Sequence, residues 1–257
     1  MLNNDRAGER LKLPKLGELN VKWSQVLGGI PKRVTVSKSV SGNYFVGFMC
    51  EVEQALMPIT GKRVGIDIGI KDVVVTSAGF HSGAPKSTYY YQRSLKKAPR
   101  ILSRKKQGSN GWHKQRLVVA RLHETITNSR KDFLHKLTTK LVSEEDVICV
   151  EDLNVAGMLK NRKLSKAVAD VGIFELNRQL EYKAQWYGKK VVKISRWIPS
   201  TKTCRSCGAI KPMKLSERVY ACDCGLSLDR DLNAAINIKT AGLAVSGAIY
   251  QPEKVAV

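Results

Sequence analysis

Four of the six cysteines lie close together near the end of the chain, and their spacing is the strongest constraint that the sequence places on the fold. Cys204 and Cys207 form one pair, and Cys222 and Cys224 form a second. Four thiolates on two short turns complete the tetrahedral set that structural zinc prefers. The second pair has one intervening residue where two are usual, but four free thiols clustered by chance are a much poorer explanation. We therefore predict a zinc ribbon over residues 201–226 that binds one structural Zn²⁺.

The remaining cysteines argue for a reducing environment. Cys50 and Cys149 stand alone in apolar stretches, where a free cysteine behaves as a small buried apolar residue. The last histidine in the sequence is His135, far from the cysteine cluster, so the predicted zinc has no open ligand position and serves structure. Cysteines used in this way are typical of a cytosolic metal-binding protein rather than of a secreted disulfide framework.

Three acidic residues lie at apolar segments in different parts of the chain. Asp67 lies within GIDIG, Glu151 ends VICVE, and Asp231 opens the last predicted helix. An unpaired carboxylate is costly to bury, whereas two divalent cations such as Mg²⁺ would pair with several carboxylates at once. Two such ions about 3.5–4 Å apart can activate a water and stabilise the leaving oxygen in phosphodiester cleavage. A strand-end or capping role explains any one acid alone, and it remains the preferred explanation for Asp152 and Asp229.

The chain is strongly basic. Its 44 Lys and Arg residues against 22 Asp and Glu residues give a net charge of +22, which favours a polyanionic partner. The excess is concentrated between residues 86 and 140, where 15 basic residues stand against two acids. A solvated helix face explains any single lysine, but the cluster, with its interleaved aromatic residues, favours nucleic-acid binding. The residues that we expect to make these contacts are Arg104, Lys105, Lys106, Trp112, Lys114, Arg116, Arg121 and Arg130.

Apolar periodicity predicts strands first and helices later. Alternation around the turn at 41–43 predicts a hairpin, and the two apolar runs within 63–79 predict a second, buried hairpin. Residues 83–111 lack apolar periodicity and are predicted to form a long loop. No apolar run reaches the about 18 residues that a membrane-spanning helix needs, so no membrane partner is expected.

Helices and strands alternate over the rest of the chain. The predicted elements are a helix from Trp112 to Leu141, a strand over 147–154, a helix over 164–189, a strand over 190–195 and a helix that begins at Asp229. The helix over 164–189 is expected to have an apolar side formed by Phe174, Leu176, Leu180 and Trp186. Residues 243–257 show no pattern and are expected to form a flexible tail.

Several stretches together resemble the TnpB (OrfB) proteins of insertion sequences, which are RNA-guided DNA nucleases related to the type V CRISPR effectors. They occur in family order and are LPKLGELNVKW, GNYFVGFMCEVE, VGIDIGIKDVVVTSAG, KQRLVVARLHETITNSRKDFLHKLTTKLV, VICVEDLNVAGMLKN, WIPSTKTCRSCG and YACDCGLSLDRDLNAAINI. The resemblance implies an α/β fold, with an RNase H-like (RuvC) nuclease core over 63–242. This core would contain a basic segment over 83–143 and the zinc ribbon, and a partial β-rich, OB-like wedge region over 1–62 would precede it.

The resemblance also implies the roles of particular residues. Asp67, Glu151 and Asp231 would bind two catalytic Mg²⁺ ions, with Mn²⁺ as the alternative ion. Asp231 is preferred to Asp229 because in the family the acid directly before the Leu-Asn-Ala-Ala stretch takes the metal. The zinc ligands would be Cys204, Cys207, Cys222 and Cys224. The implied partners are a guide RNA derived from the transposon end and target DNA, and the implied location is the bacterial cytoplasm, at the nucleoid.

Three functions remain open at this point. The leading one is an RNA-guided endonuclease, and the second is a transposase that joins DNA strands, since the same metal site serves both chemistries. The third is a nucleic-acid-binding remnant or regulator with impaired cleavage. Family members carry a recognition segment and the first wedge strands upstream of the region matched here. We therefore expect a chain that binds RNA and single-stranded DNA but cuts intact duplexes poorly.

Overall fold

A computed structural model describes residues 10–214 and 216–247. The chain divides into two compact units, Met1–Glu53 and Gln54–Val257. In chain order, the strands and helices are β1 Arg10–Leu13, β2 Gly17–Asn20, β3 Pro31–Lys38, β4 Tyr44–Cys50, β5 Arg63–Asp67, β6 Val75–Thr76, α1 Ser87–Tyr90, α2 Gln92–Ser103, α3 Asn110–Glu144, β7 Val147–Glu151, α4 Val155–Lys160, α5 Ser165–Val171, α6 Ile173–Trp186, β8 Lys190–Ile194, β9 Val219–Ala221, β10 Ser227–Asp229 and α7 Arg230–Val245.

The boundary between the two units lies at Glu53, whereas the sequence analysis predicted it at residue 62. The intervening segment belongs to the second unit because its backbone is bound there. The N–H groups of Thr60 and Gly61 donate hydrogen bonds to the carboxylate of Asp146 at 3.0 and 2.5 Å. This carboxylate also forms a buried ion pair with Lys189. No local sequence pattern indicates this anchoring, since the partners are distant in the chain.

The first unit consists of two antiparallel strand pairs, β1 with β2 and β3 with β4. The second pair confirms the predicted hairpin, and Gly42 in its turn has φ +92°, a conformation that favours glycine. Cys50 at the end of β4 is only half-buried, so the prediction that it is buried is wrong. An isolated two-stranded sheet buries little of each side chain, which is consistent with the partial exposure of Cys50.

A four-stranded sheet with the order β6-β5-β7-β8 forms the centre of the second unit. β5 and β6 are antiparallel, which confirms the second predicted hairpin, and β5, β7 and β8 run parallel. Parallel strands require cover on both faces, and this explains why the first four residues of VICVE on β7 are apolar and buried. Cys149 on β7 is fully buried, as predicted.

Helices α3 and α6 cover one face of this sheet. Alternate residues of β5 and β7 meet a row of leucines from the two helices. The buried residues of this layer include Val64, Ile66, Leu134, Leu137, Leu141, Ile148, Val150, Leu176 and Leu180. The predicted helix from Trp112 is confirmed and is longer than expected. It begins after Ser109, whose side chain accepts a hydrogen bond from the N–H of Trp112 at 3.2 Å.

Helix α7 covers the opposite face of the sheet at very short range. A Cβ on Gly65 of β5 would lie 2.0 Å from the carbonyl oxygen of Ala235. A Cβ on Gly242 of α7 would lie 2.4 Å from Sγ of Cys149. One glycine on the strand and one on the helix therefore allow the backbone of α7 to lie directly against β5 and β7. Ile238 and the apolar side chains of β7 and β8 complete this smaller core.

The prediction of a long loop over 83–111 is wrong, because α1 and α2 occupy most of this segment. Helix α2 packs on α3 through the side of the helix that carries Leu95, Ala98 and Leu102, which have helical spacing. Several basic residues lie between these three apolar residues, so the helical pattern was not recognised in the sequence. The helix even accommodates Pro99 in its interior.

The predicted helix over 164–189 is two helices. Gly172, with φ +72°, ends α5 and begins α6, so the chain turns between them. Leu176 and Leu180 are buried as predicted, but Phe174 and Trp186 are 70% and 52% exposed. The apolar side of α6 is therefore narrower than the prediction.

The last helix begins after Asp229, as predicted, and continues to Val245, three residues into the expected flexible tail. The remainder of that tail lies outside the described residues, apart from 246 and 247. Strands β9 and β10 form an antiparallel pair directly before α7. Of the helices that the structure describes, none is both long and apolar enough to cross a membrane.

Replacing Gly65 with alanine is expected to lower the free energy of unfolding by about 3 kcal/mol or more, because the added Cβ would meet backbone atoms of Ala235 and Lys239 at 2.0 and 2.5 Å. Urea denaturation followed by circular dichroism measures this. Gly111→Ala in α3 is the control, since its Cβ would meet only the end of the Lys105 side chain at 3.4 Å, and it should be neutral or mildly stabilising. Equal effects of the two substitutions would contradict the close packing of α7.

Candidate active site

Two of the predicted acids lie side by side at one edge of the central sheet. β5 and β7 are parallel, with Ile66 opposite Val150, so Asp67 and Glu151 end neighbouring strands at the same level. Successive strand residues point to opposite faces. Both acids therefore share the face that α7 covers, two residues beyond the positions where that helix approaches most closely.

The third acid is carried to this edge by the start of α7. Asp229 caps the helix, because its carboxylate accepts hydrogen bonds from the N–H groups of Asp231 and Leu232 at 2.9 and 3.0 Å. Asp231 follows in the first turn, where it pairs with the guanidinium of Arg230 at 3.0 Å and lies 3.8 Å from that of Arg218. The cap and the predicted metal ligand are thus different residues with different partners.

The charges of Glu151, Asp231 and Asp229 all act on Asp67. Burial, followed by the charges of Glu151 and Asp231, raises the pKa of Asp67 to about 7. Burial also raises the pKa of Glu151, while a hydrogen bond from the Ser200 hydroxyl lowers it. Burial and neighbouring carboxylates therefore act together on Asp67, as is expected for an acid in a region of low dielectric.

A divalent cation suits this set of donors. Hard cations prefer carboxylate oxygens, and a positive ion would relieve the repulsion that raises the pKa of Asp67. The carboxylate oxygens of the three acids nevertheless do not all lie within 4.8 Å of one another. Within the described residues, the four zinc-module cysteines are the one group of potential ligands whose donor atoms all lie within 4.8 Å. Asp231 is instead paired with arginine, and Glu151 with a serine.

The four predicted cysteines form a compact group, as the spacing of the sequence indicated. Sγ of Cys204 lies 3.7 Å from that of Cys224, and Sγ of Cys207 lies 3.6 Å from that of Cys222. Hydrogen bonds from the backbone, first that of Cys207, lower the pKa of Cys204 to about 6 and favour the thiolate that binds metal. The group could therefore hold a metal such as zinc.

Two asparagines, which were not predicted as functional residues, join the predicted zinc module to α7. Nδ2 of Asn233 donates to the carbonyl oxygen of Thr203 at 2.8 Å, and Oδ1 accepts from the N–H of Arg205 at 3.2 Å. Nδ2 of Asn237 donates to the carbonyl oxygens of Thr203 and Ser200, both at 2.7 Å. Two asparagines four residues apart, each beside apolar residues of the helix, were the available signal, since amides that are covered require partners.

The predicted nucleic-acid contacts lie on α3 and on the turn before it. Arg104, Lys105 and Lys106 form that turn and are exposed, as are the basic residues in the first half of α3. Trp112 is half-buried, with the guanidinium of Arg116 5.5 Å from its ring centre. Arg130 differs from the others because its side chain is largely covered and pairs with Asp170 at 3.4 Å.

Helix α2 adds a cationic face that was not predicted, because a loop was expected in this segment. Its exposed side carries basic residues at helical spacing, whereas the opposite side packs on α3. These residues, called the α2 cationic face below, are Arg93, Lys96, Lys97, Arg100 and Arg104.

Comparisons with known proteins agree with this architecture. Residues 48–162 match the model of the OrfB_IS605 family, described as a probable transposase, and residues 174–238 match that of the Cas12f1-like TNB domain. A structure of a Cas12f1-sgRNA-target DNA complex is similar to this chain with a TM-score of 0.50, at 18% identity over 80% of this chain and 55% of that one. The fold is therefore that of the Cas12f1-like class.

Comparison with individual relatives identifies the family of the chain more specifically. A protein of Streptomyces pristinaespiralis is 45% identical over 92% of this chain, and InsQ of Escherichia coli (strain K12) is 34% identical over 94%; both carry the name "Putative RNA-guided DNA endonuclease". The TnpB-like protein L770 of Acanthamoeba polyphaga mimivirus is 32% identical over 87% of the chain. The chain belongs to the OrfB (TnpB) family. It spans 60% and 64% of the length of the first two relatives and 46% of the third.

Without added Mg²⁺ or Mn²⁺, the free energy of unfolding should vary with pH because of the raised pKa of Asp67. Its pKa is raised from 3.8 to about 7, so between these pH values the folded protein holds a proton that the unfolded chain has released. This acid therefore makes folding less favourable as the pH rises from about 4 to about 7. The advantage of Asp67→Asn over the wild type should grow across this interval and then level off, as measured by urea denaturation.

Asp132→Asn is the control for the loss of one carboxylate, because Asp132 is 61% exposed and pairs with Lys136 on the surface of α3. An advantage of Asp67→Asn that stays constant between pH 4 and pH 7, or that shrinks, would show that burial and the neighbouring acids do not raise the pKa of Asp67.

Proposed function

We propose that this chain is the catalytic portion of an RNA-guided DNA endonuclease that cleaves phosphodiester bonds with Mg²⁺. The observation that carries the proposal is the gathering of Asp67, Glu151 and Asp231 from two strands and a helix. Carboxylates that three separate elements bring into a partly buried region favour a shared divalent cation. The names of the relatives favour guided cleavage over strand joining.

The proposed core is RNase H-like. The parallel strands β5, β7 and β8, the antiparallel β6 and the close helix α7 support this proposal, as does the Cas12f1-like fold. The three acids would hold two Mg²⁺ ions, with Mn²⁺ as the alternative ion. Such ions supply an activated water and stabilisation of the leaving oxygen. The protein contributes the fixed carboxylates, which are set on rigid elements rather than on loops.

The proposed zinc is structural. Cys204, Cys207, Cys222 and Cys224 would supply all four ligands of one Zn²⁺, which leaves no position for a substrate. Metal binding would fold the segment between β8 and α7, because such small modules gain their stability from the metal. The asparagine contacts from α7 would then connect this folding to the helix that carries Asp231.

The proposed partners are a guide RNA and target DNA. Base pairing would supply sequence recognition, while the protein holds the nucleic-acid backbone through charge and shape. The α2 cationic face and the exposed basic residues of α3 offer such a surface, and no acidic residue interrupts α2. Its five cations extend over about 17 Å, at about 1.5 Å per helical residue.

Asp67→Asn, Glu151→Gln and Asp231→Asn are each expected to abolish Mg²⁺-dependent cleavage while leaving RNA binding nearly intact, because each removes a ligand of a shared site. The assay uses the chain with its co-purified RNA and both single-stranded and duplex DNA. Asp229→Ala is the matched control. It should cost about 1 kcal/mol of helix stability and only part of the activity. An inactive Asp229→Ala beside a fully active Asp231→Asn would overturn the assignment, and a wild type that cuts neither substrate would overturn the proposed function.

Replacing Arg93, Lys97, Arg100 and Arg104 with glutamine should weaken RNA binding and reduce its dependence on salt. The slope of log K against log salt should fall by about 3, because each phosphate that a cation neutralises on a single strand contributes about 0.7 to the slope. Fluorescence anisotropy with labelled RNA measures this slope. The control changes Lys160, Arg162, Lys163 and Lys166, which are also exposed, and so removes the same charge. Equal slopes in the two variants would mean that net charge, and not the α2 cationic face, governs binding.

A further inference from the structure

A buried serine connects the loop before the zinc module to the acidic site. Ser200 is 4% exposed, and its hydroxyl donates a hydrogen bond to Oε1 of Glu151. Among the residues that the structure describes, this hydroxyl is the one hydrogen-bond partner of the Glu151 side chain. Ser200 lies outside the acids and cysteines that the sequence patterns identify, and neither metal group includes it.

Ser200 is itself held through its backbone. Its carbonyl oxygen accepts from Nδ2 of Asn237 at 2.7 Å, and its N–H donates to the carbonyl oxygen of Ile198 at 2.8 Å. Three residues further on, the carbonyl oxygen of Thr203 accepts from Asn233 and again from Asn237. The loop is thus fastened to α7 at two points immediately before the first zinc-module cysteine. A hydroxyl on such a backbone has little freedom to move.

The constraint matters because Glu151 is a long side chain among other negative charges. The charge of Glu151 acts on Asp67, and a glutamate has three side-chain torsions through which its carboxylate could rotate away from the site. A hydrogen bond to Oε1 opposes that rotation and leaves Oε2 available. Groups that bond to metal ligands commonly orient them in this way, and their loss weakens metal binding.

We propose that Ser200 is a positioning residue for Glu151, and that through it the folded zinc module sets the affinity of the acidic site for a divalent cation. The inference rests on the proposed function, in which the acids are cation ligands. Ser200 contacts neither the ion nor the substrate, since its role is to fix the direction of one carboxylate.

The test is direct Mn²⁺ binding, measured by electron paramagnetic resonance of the free ion without nucleic acid. Ser200→Ala removes the hydroxyl but keeps the backbone contacts, and we expect it to raise the Kd for Mn²⁺ on the order of tenfold. Thr203→Ala is the matched control, because its hydroxyl bonds to the carbonyl oxygen of Pro199 at 2.8 Å and not to an acid. It should bind Mn²⁺ as the wild type does, and Ser200→Thr, which retains the hydroxyl, should do the same.

Zinc content and the thermal midpoint, measured on each variant, show that the module remains folded. An unchanged Kd in Ser200→Ala, or an equal increase in Thr203→Ala, would overturn the role of the serine. Asp67→Asn separates this failure from failure of the proposed function. If Asp67→Asn binds Mn²⁺ as tightly as the wild type, the acids are not the cation site and both proposals fall. If Asp67→Asn loses binding while Ser200→Ala does not, only the role of Ser200 is refuted.

Discussion

The close packing of α7 on β5 and β7 is the interaction on which the rest of the second unit depends. Two positions without side chains, Gly65 on the strand and Gly242 on the helix, allow helix and strand to approach at distances that any Cβ would prevent. The approach has a consequence beyond packing, because α7 begins beside the edge where β5 and β7 end. The first turn of the helix therefore brings Asp231 to the same region as Asp67 and Glu151.

The same helix joins the three acids to the group of four cysteines. Its first turn carries an acid, and its next turns carry Asn233 and Asn237, which hold the loop that leads into the cysteine cluster. The burial of Asp67 and the charges of its neighbours raise its pKa, so this carboxylate makes folding less favourable when it is ionised. The apolar core that α3 and α6 form on the other face of the sheet stabilises the folded state and offsets this cost.

Much of this arrangement could be predicted from the sequence because it rests on local patterns. Apolar runs predicted β5, β7 and β8, the cysteine spacing predicted the zinc module, and Asp229 marked the start of α7. Weak local patterns and contacts between distant segments could not be predicted. Helix α2 was hidden because its apolar side is narrow and basic residues surround it, and the anchoring of Thr60 to Asp146 left no trace in either segment. The close approach of α7 at Gly65 and the hydrogen bond from Ser200 to Glu151 likewise depend on how the chain folds and leave no pattern in the sequence.

The central claim is that α7 completes one cation site with the ends of β5 and β7. A crystal structure of the zinc-loaded protein soaked with Mn²⁺, with anomalous difference maps collected for manganese, tests it most directly. We expect anomalous density between the carboxylates of Asp67, Glu151 and Asp231, with Asp231 turned from Arg230 toward the ion. Manganese bound elsewhere, with Asp231 still paired to Arg230 as it is here, would contradict the claim.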